Sequence, residues 1–166
     1  MNHWNAIADH GRVWIYTTKR PLNETEEQQI SDTLEKFCEK WAAHGNDLFA
    51  GHEIKHHRFI ILTVDEEKAA ASGCSIDSSV AVMRDIEAAM DLDLFNRTRI
   101  YHVTEEGIEQ TDLSMARANI ENGSWSGDTQ IVNTTVLTKG EWEKAPLIRI
   151  RDSWMKRFLK EEDQVA

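Results

Sequence analysis

The chain has 166 residues with 29 Asp and Glu against 19 Lys and Arg, a formal charge of −10. That charge repels a nucleic-acid backbone and an anionic membrane, so neither is expected as a partner. Hydrophobic residues make up 40% of the chain, enough to build a core. No apolar stretch approaches a membrane span, and two cysteines, Cys38 and Cys74, cannot make a disulfide framework.

The opening MNHWNAIADHGR has no basic region followed by an apolar run, so a cytoplasmic protein with reduced thiols is expected. RVWIYTT (12–18) reads as a strand, being β-branched and aromatic without a breaker. From Asn23 to Gly45 the pattern is helical: Ile30, Leu34, Phe37, Cys38 and Trp41 form one stripe. Asn23 and Glu26 have the spacing of a capping box, and Gly45 is the expected stop. Residues 48–54 and 58–64 flank KHH and read as a hairpin, the second strand apolar enough to be buried on both faces. A helix is expected from about Ser78 to Met90 with Asp77 as its cap, then a strand at 98–103. The last third offers a short helix near 112–121, a turn NGSWSG, a strand IVNTTVL, and after Pro146 a strand entering a terminal helix.

This order predicts an α+β protein with a ferredoxin-like βαββαβ core: a four-stranded antiparallel sheet with two helices on one face. The expected organisation is one domain, with residues 1–104 as the core and 105–166 as a C-terminal α/β lobe packed on it. That lobe would cover the bare sheet face or extend the sheet.

The segment GCSIDSS (73–79) has the look of a reactive turn. A thiol in the first turn of a helix is stabilised as thiolate by backbone N–H groups and the dipole. On this reading Cys74 and Asp77 are catalytic, Ser75 helps to orient the site, and a histidine among 44, 52, 56, 57 and 102 is the base. As an anion site, the turn offers the amides after Gly73 and the hydroxyls of Ser75, Ser78 and Ser79. On the plainest reading Gly73 only makes the turn, Ser75 and Asp77 satisfy orphan amides, and Cys74 is a small buried hydrophobe.

The same segment is similar over a few residues to the first cysteine turn of iron–sulfur scaffold proteins. Cys38 is the only other thiol, so no cluster is expected. His52 and His56 fall across the predicted hairpin from each other, with His57 next to them. No carboxylate or cysteine groups with them in sequence, and neither a metal nor a cofactor is expected. FIILTVDEE (59–67) has the outline of a Walker B strand, but no glycine begins a GxxxxGK[ST] loop, which excludes a P-loop ATPase.

Six tryptophans remain, at 4, 14, 41, 125, 142 and 154. Between Lys139 and Lys160 there are seven basic residues against three acids. Trp142, Arg149, Arg151 and Trp154 within that stretch are candidates for a partner-binding surface, since Trp and Arg favour interface hot spots.

RVWIY (12–16), W..HG (41–45), RFIILTVDE (58–66), ASGCSID (71–77), DT..VN (128–133) and PL…DSW (146–154) together resemble an uncharacterised family of small proteins from Bacteroidetes. Its members carry the label "ABC transporter ATPase". The resemblance spans roughly residues 12 to 157 and brings no assigned activity or site residues with it. The expected function is therefore a non-enzymatic protein-binding or adaptor domain with another protein as partner. A thiol-dependent enzyme or redox protein using Cys74, and a small-anion binder at the 73–79 turn, are the alternatives. A homo-oligomer is compatible with all three.

Overall fold

Acids crowd the start of the first long helix, and the structure, a computed structural model describing residues 1–165, shows what they do. Strand β1 (Arg12–Thr17) leads through Pro21 into α1 (Glu24–Lys40). Asn23 accepts the Glu26 amide at 2.9 Å and Glu26 accepts the Asn23 amide at 3.1 Å, closing the expected capping box. Arg20 donates to the same carboxylate at 2.7 and 2.9 Å, and this guanidinium holds the Glu26 carboxyl at about 2. On the stripe, Ile30, Leu34 and Cys38 are buried and Phe37 is half-buried; each large side chain so covered stabilises the fold by about 1.5–3 kcal/mol.

The helix stops at Lys40, earlier than Gly45. Residues 41–47 instead form a small hairpin of β2 (Ala42–Ala43) and β3 (Asn46–Asp47). His44 and Gly45 both take positive φ, 52° and 79°, as a two-residue hairpin turn demands. Gly45 thus serves a strand pair rather than a helix end.

Strands β4 (Ala50–Lys55) and β5 (Phe59–Val64) form the expected hairpin, and β5 lies between β1 and β4, antiparallel to both. All six β5 residues are buried. Ile60, Leu62 and Val64 face α1 and α2 (Gly73–Met90), joining Tyr16, Leu34, Met83 and Ile86 in one core. By alternation Phe59, Ile61 and Thr63 face the other way. That second face is met by the N-terminal segment and by residues 136–142. The Trp142 ring lies 5.6 Å from that of Phe59, and Lys139 donates from Nζ to the Ile7 carbonyl at 2.9 Å. Gly51 admits the Trp4 backbone, since a Cβ there would lie 2.5 Å from the Trp4 nitrogen.

The chain is a mixed α+β protein with antiparallel sheets, but the ferredoxin-like sheet is not completed. Three strands are joined in the order β1-β5-β4, and residues of both α1 and α2 pack in the core on one face of them. The fourth, β6 (Arg99–Thr104), pairs instead with β7 (Gly107–Asp112) over six residues and with β8 (Gln130–Val132). The β1 edge is met by residues 137–138: Val13 donates to the Leu137 carbonyl at 3.0 Å and Arg12 bridges Thr138. The expected boundary at 104 also moves, because the chain divides into a first compact unit of residues 1–96 with 136–142 and a second of residues 97–135 with those from 143 on.

In the second unit β7, β6, β8 and β9 (Leu147–Arg149) form an antiparallel sheet in that order. Asp112 caps α3 (Leu113–Glu121) by accepting the Met115 amide at 2.8 Å. Of the expected strand 131–137 only Ile131 and Val132 are strand, because Asn133 starts a turn by accepting the Thr135 amide at 3.2 Å. The expected terminal α-helix is replaced by three short 3₁₀ turns, at Ile150–Asp152, Trp154–Phe158 and Glu161–Asp163. Extended backbone at Ser153 and Leu159 separates them. Ile150, Met155 and Leu159 reach the core in this way at a spacing no single helical face provides. Of the short α4 (Lys139–Lys144), residues up to Trp142 belong to the first unit. No helix among the described residues is long and apolar enough to cross a membrane.

Candidate functional site

The 73–79 turn is itself helical. The α2 helix begins at Gly73, and its cap is Ser72, which accepts the Ser75 amide at 3.2 Å while Ser75 Oγ accepts the Ser72 amide at 2.7 Å. Asp77 therefore lies past the cap, inside the helix. The hydroxyls expected to hold an anion are turned onto the helix backbone: Ser75 donates to the Ser72 carbonyl, Ser78 to that of Cys74 and Ser79 to that of Ile76, at 2.8, 3.0 and 2.6 Å. Ser75 and Ser79 are buried, and a Cβ on Gly73 would meet nothing within 4 Å. The backbone's own demand for partners absorbs these side chains.

Cys74 is exposed rather than buried. Three of the five histidines offered as its base have other partners: His52 Nε2 lies 2.8 Å from Ser31 Oγ, His57 Nδ1 2.7 Å from Glu27, and His102 Nε2 3.7 Å from Glu109. No hydrogen bond joins a histidine to Cys74 among the described residues. The two thiols should differ sharply toward an alkylating reagent. Burial pushes the Cys38 thiol up to about 12, so native protein should gain one adduct by mass spectrometry, at Cys74, and a second only after unfolding. Two adducts on native protein would mean that Cys38 is not buried.

His52, His56 and His57 diverge. His52 points to α1 with its Nδ1 buried and unpartnered, and burial lowers its pKa. His56 stands edge-on to Phe59. Positive φ at His56 and His57 builds the hairpin turn.

The expected partner surface is also divided. Trp142 is buried in the first unit, its Nε1 donating to Glu53 at 3.4 Å. Arg151 is mostly buried in the second, paired with Asp128 at 3.0 Å. Arg149 donates to Asp152 at 2.8 Å. Of the four residues, Trp154 alone keeps a large exposed aromatic surface, and it borders a cavity of the second unit.

That cavity encloses about 300 Å³, the lower end of the range for small-ligand sites. Its walls come from β6, from the β8 end and its turn, from Ile148 of β9, and from Ser153 and Trp154. Two guanidiniums, Arg97 and Arg99, line it with Tyr101, Asn133, Thr134 and Thr135, while Ile131 and Ile148 form apolar wall. No Asp or Glu is among the lining residues, in a chain where acids outnumber bases by 29 to 19. The site is partly braced from within. Arg99 donates from Nε to the Tyr101 hydroxyl at 3.0 Å. Asn133 Oδ1 accepts from Thr135 Oγ1 at 2.7 Å, which leaves the Asn133 amide nitrogen as a donor. The chemistry on offer is recognition of an anionic group by guanidinium and amide donors, with an indole beside it.

Sequence reasoning passed over Arg97, Arg99, Tyr101 and Asn133. One signal was legible: Arg99 and Tyr101 alternate in the expected strand TRIYHV, so they share a side of it, and Arg97 lies two residues before Arg99. What brings Asn133 and Trp154 to them is the sheet order. No protein-family model matches the chain, and no curated protein or solved structure is significantly similar to it.

Proposed function

We propose that this chain is a non-enzymatic binding protein whose second unit takes a small anionic ligand, a carboxylate or phosphate carried on a planar body. The observation that carries this is the acid-free cavity with Arg97 and Arg99 in its wall on an otherwise acidic chain. The 73–79 turn is not the anion site in this proposal, because its hydroxyls serve the helix. A cytoplasmic setting belongs to the proposal through the exposed free thiol of Cys74. So does kinship with the Bacteroidetes family over residues 12–157, without ATP hydrolysis, for which the chain has no phosphate loop.

Phenyl phosphate is a suitable probe, followed by NMR or isothermal titration. Arg97→Met is expected to weaken its binding about 10-fold or more, the loss of one charge-assisted contact of about 1.5–3 kcal/mol. Arg97 is exposed, so the variant should fold normally. Arg84→Met, in the first unit, should leave affinity unchanged. Equal affinity in wild type and Arg97→Met would remove the proposal.

A second reading makes the occupant an acidic segment of a partner protein, in keeping with the adaptor expected from sequence. It rests on Trp154, 41% exposed at the cavity border. A glutamate-rich peptide binding where phenyl phosphate does not would select it.

A further inference from the structure

The strand β5 ends at Val64 and the chain continues through Asp65, Glu66 and Glu67, three acids whose side chains separate. Glu66 pairs with Arg12 at 3.4 Å and accepts the Ala71 amide at 3.1 Å. Asp65 and Glu67, two residues apart, both meet His10. His10 Nε2 lies 2.8 Å from Asp65 Oδ1 and 3.4 Å from Glu67 Oε2, and one ligand atom from each of the three residues lies within 4.8 Å of the others. Among the described residues no other His, Cys, Asp or Glu trio comes so close.

We propose that His10, Asp65 and Glu67 form a binding site for a first-row divalent cation of the Mn²⁺ to Zn²⁺ class. Bonds of about 2.0–2.2 Å to imidazole nitrogen and carboxylate oxygen place adjacent ligands about 2.9 Å apart at right angles and about 3.5 Å apart at the tetrahedral angle. The two separations from His10 lie close to these values, and the two carboxylates lie within 4.8 Å of each other, so closing the trio on one cation asks only the exposed Glu67 side chain to adjust. One imidazole with two carboxylates suits Mn²⁺, Fe²⁺ and Zn²⁺ and offers no soft thiolate.

The site is fixed at one corner and open at the other two. The Asp65 side chain is 8% exposed. Its Oδ1 also accepts the Glu67 amide at 3.1 Å, and its own amide is held by the Phe49 carbonyl at 2.9 Å. His10 and Glu67, 40% and 76% exposed, leave an entry path and room for water ligands. The nearby ammonium of Lys68 lies over the Phe49 ring, 3.4 Å from its centroid. His10 is held by a turn in which Gly11 donates to the Ala8 carbonyl at 2.9 Å, and Asp9 accepts the Gly140 amide at 2.9 Å. A bound cation would therefore tie the segment that covers the second sheet face to the end of the central strand.

The test is a titration of chelator-treated full-length protein with MnCl₂, free Mn²⁺ being read by electron paramagnetic resonance, then displacement by ZnCl₂. One Mn²⁺ per chain with sub-millimolar affinity is expected, released by Zn²⁺, together with a higher thermal midpoint for the loaded protein. Glu67→Gln should weaken binding at least 10-fold while leaving the metal-free midpoint near wild type, because that side chain is exposed. His10→Gln should weaken binding likewise, with a lower metal-free midpoint because it also loses the 2.8 Å bond to the buried Asp65 carboxylate. Absence of binding up to millimolar Mn²⁺, or unchanged affinity in both variants, would overturn the assignment.

Discussion

Phe59→Ala is expected to destabilise the first unit by about 3–5 kcal/mol. Phe59 is wholly buried at the start of the central strand, with the Trp142 ring 5.6 Å away and His56 edge-on at 6.2 Å. A small domain has only about 5–15 kcal/mol in total, so much of the margin would go. Urea unfolding followed by far-ultraviolet circular dichroism should show a lower midpoint with an unchanged slope. Phe59→Leu, which keeps most of the volume, should cost less than about 1.5 kcal/mol. Trp142→Ala combined with Phe59→Ala should be non-additive by about 0.5–3 kcal/mol, as for residues in contact. Additive losses would show that Trp142 does not pack on this face and would return it to the surface role that its neighbours in sequence suggest.

Trp41 is the second position of large effect. Its side chain is 2% exposed, with ring centroids 4.9 Å from Phe37 and 5.8 Å from Trp14. Its Nε1 donates to the Ser75 carbonyl at 2.7 Å, which ties the end of α1 to the first turns of α2. Trp41→Ala should cost about 3–5 kcal/mol through the cavity. Trp41→Phe keeps much of the packing but removes a buried donor, and should cost about 1–3 kcal/mol. Faster amide hydrogen exchange at residues 73–79 in the Phe variant would locate the loss. Wild-type stability together with unchanged exchange would mean that the bond contributes nothing.

The hairpin of residues 50–64 and the first helix were legible because their signals are local. The stripe at Ile30, Leu34 and Cys38 and the box at Asn23 and Glu26 each involve residues within a few turns of one another. Strand β7 was missed because GIEQTD is polar and half-exposed, with no hydrophobic alternation to read. The terminal turns were misread as a helix because their composition is helix-compatible, whereas the extended backbone at Ser153 and Leu159 answers to the core they fill.

The same division holds for the candidate sites. GCSIDSS drew attention as a cluster, but short polar side chains at a helix start bond first to their own backbone. The cavity of Arg97, Arg99, Asn133 and Trp154, and the trio of His10, Asp65 and Glu67, join residues up to 57 positions apart in the chain. By itself the amino-acid order determined the α+β class, the N-terminal capping box and the buried central strand, since these follow from periodicity and neighbouring polar groups. Tertiary structure alone decided which edge β6 joined, which arginines lined a cavity and which carboxylates met His10, because strand pairing over long separations is a competition among edges that no short window of sequence contains.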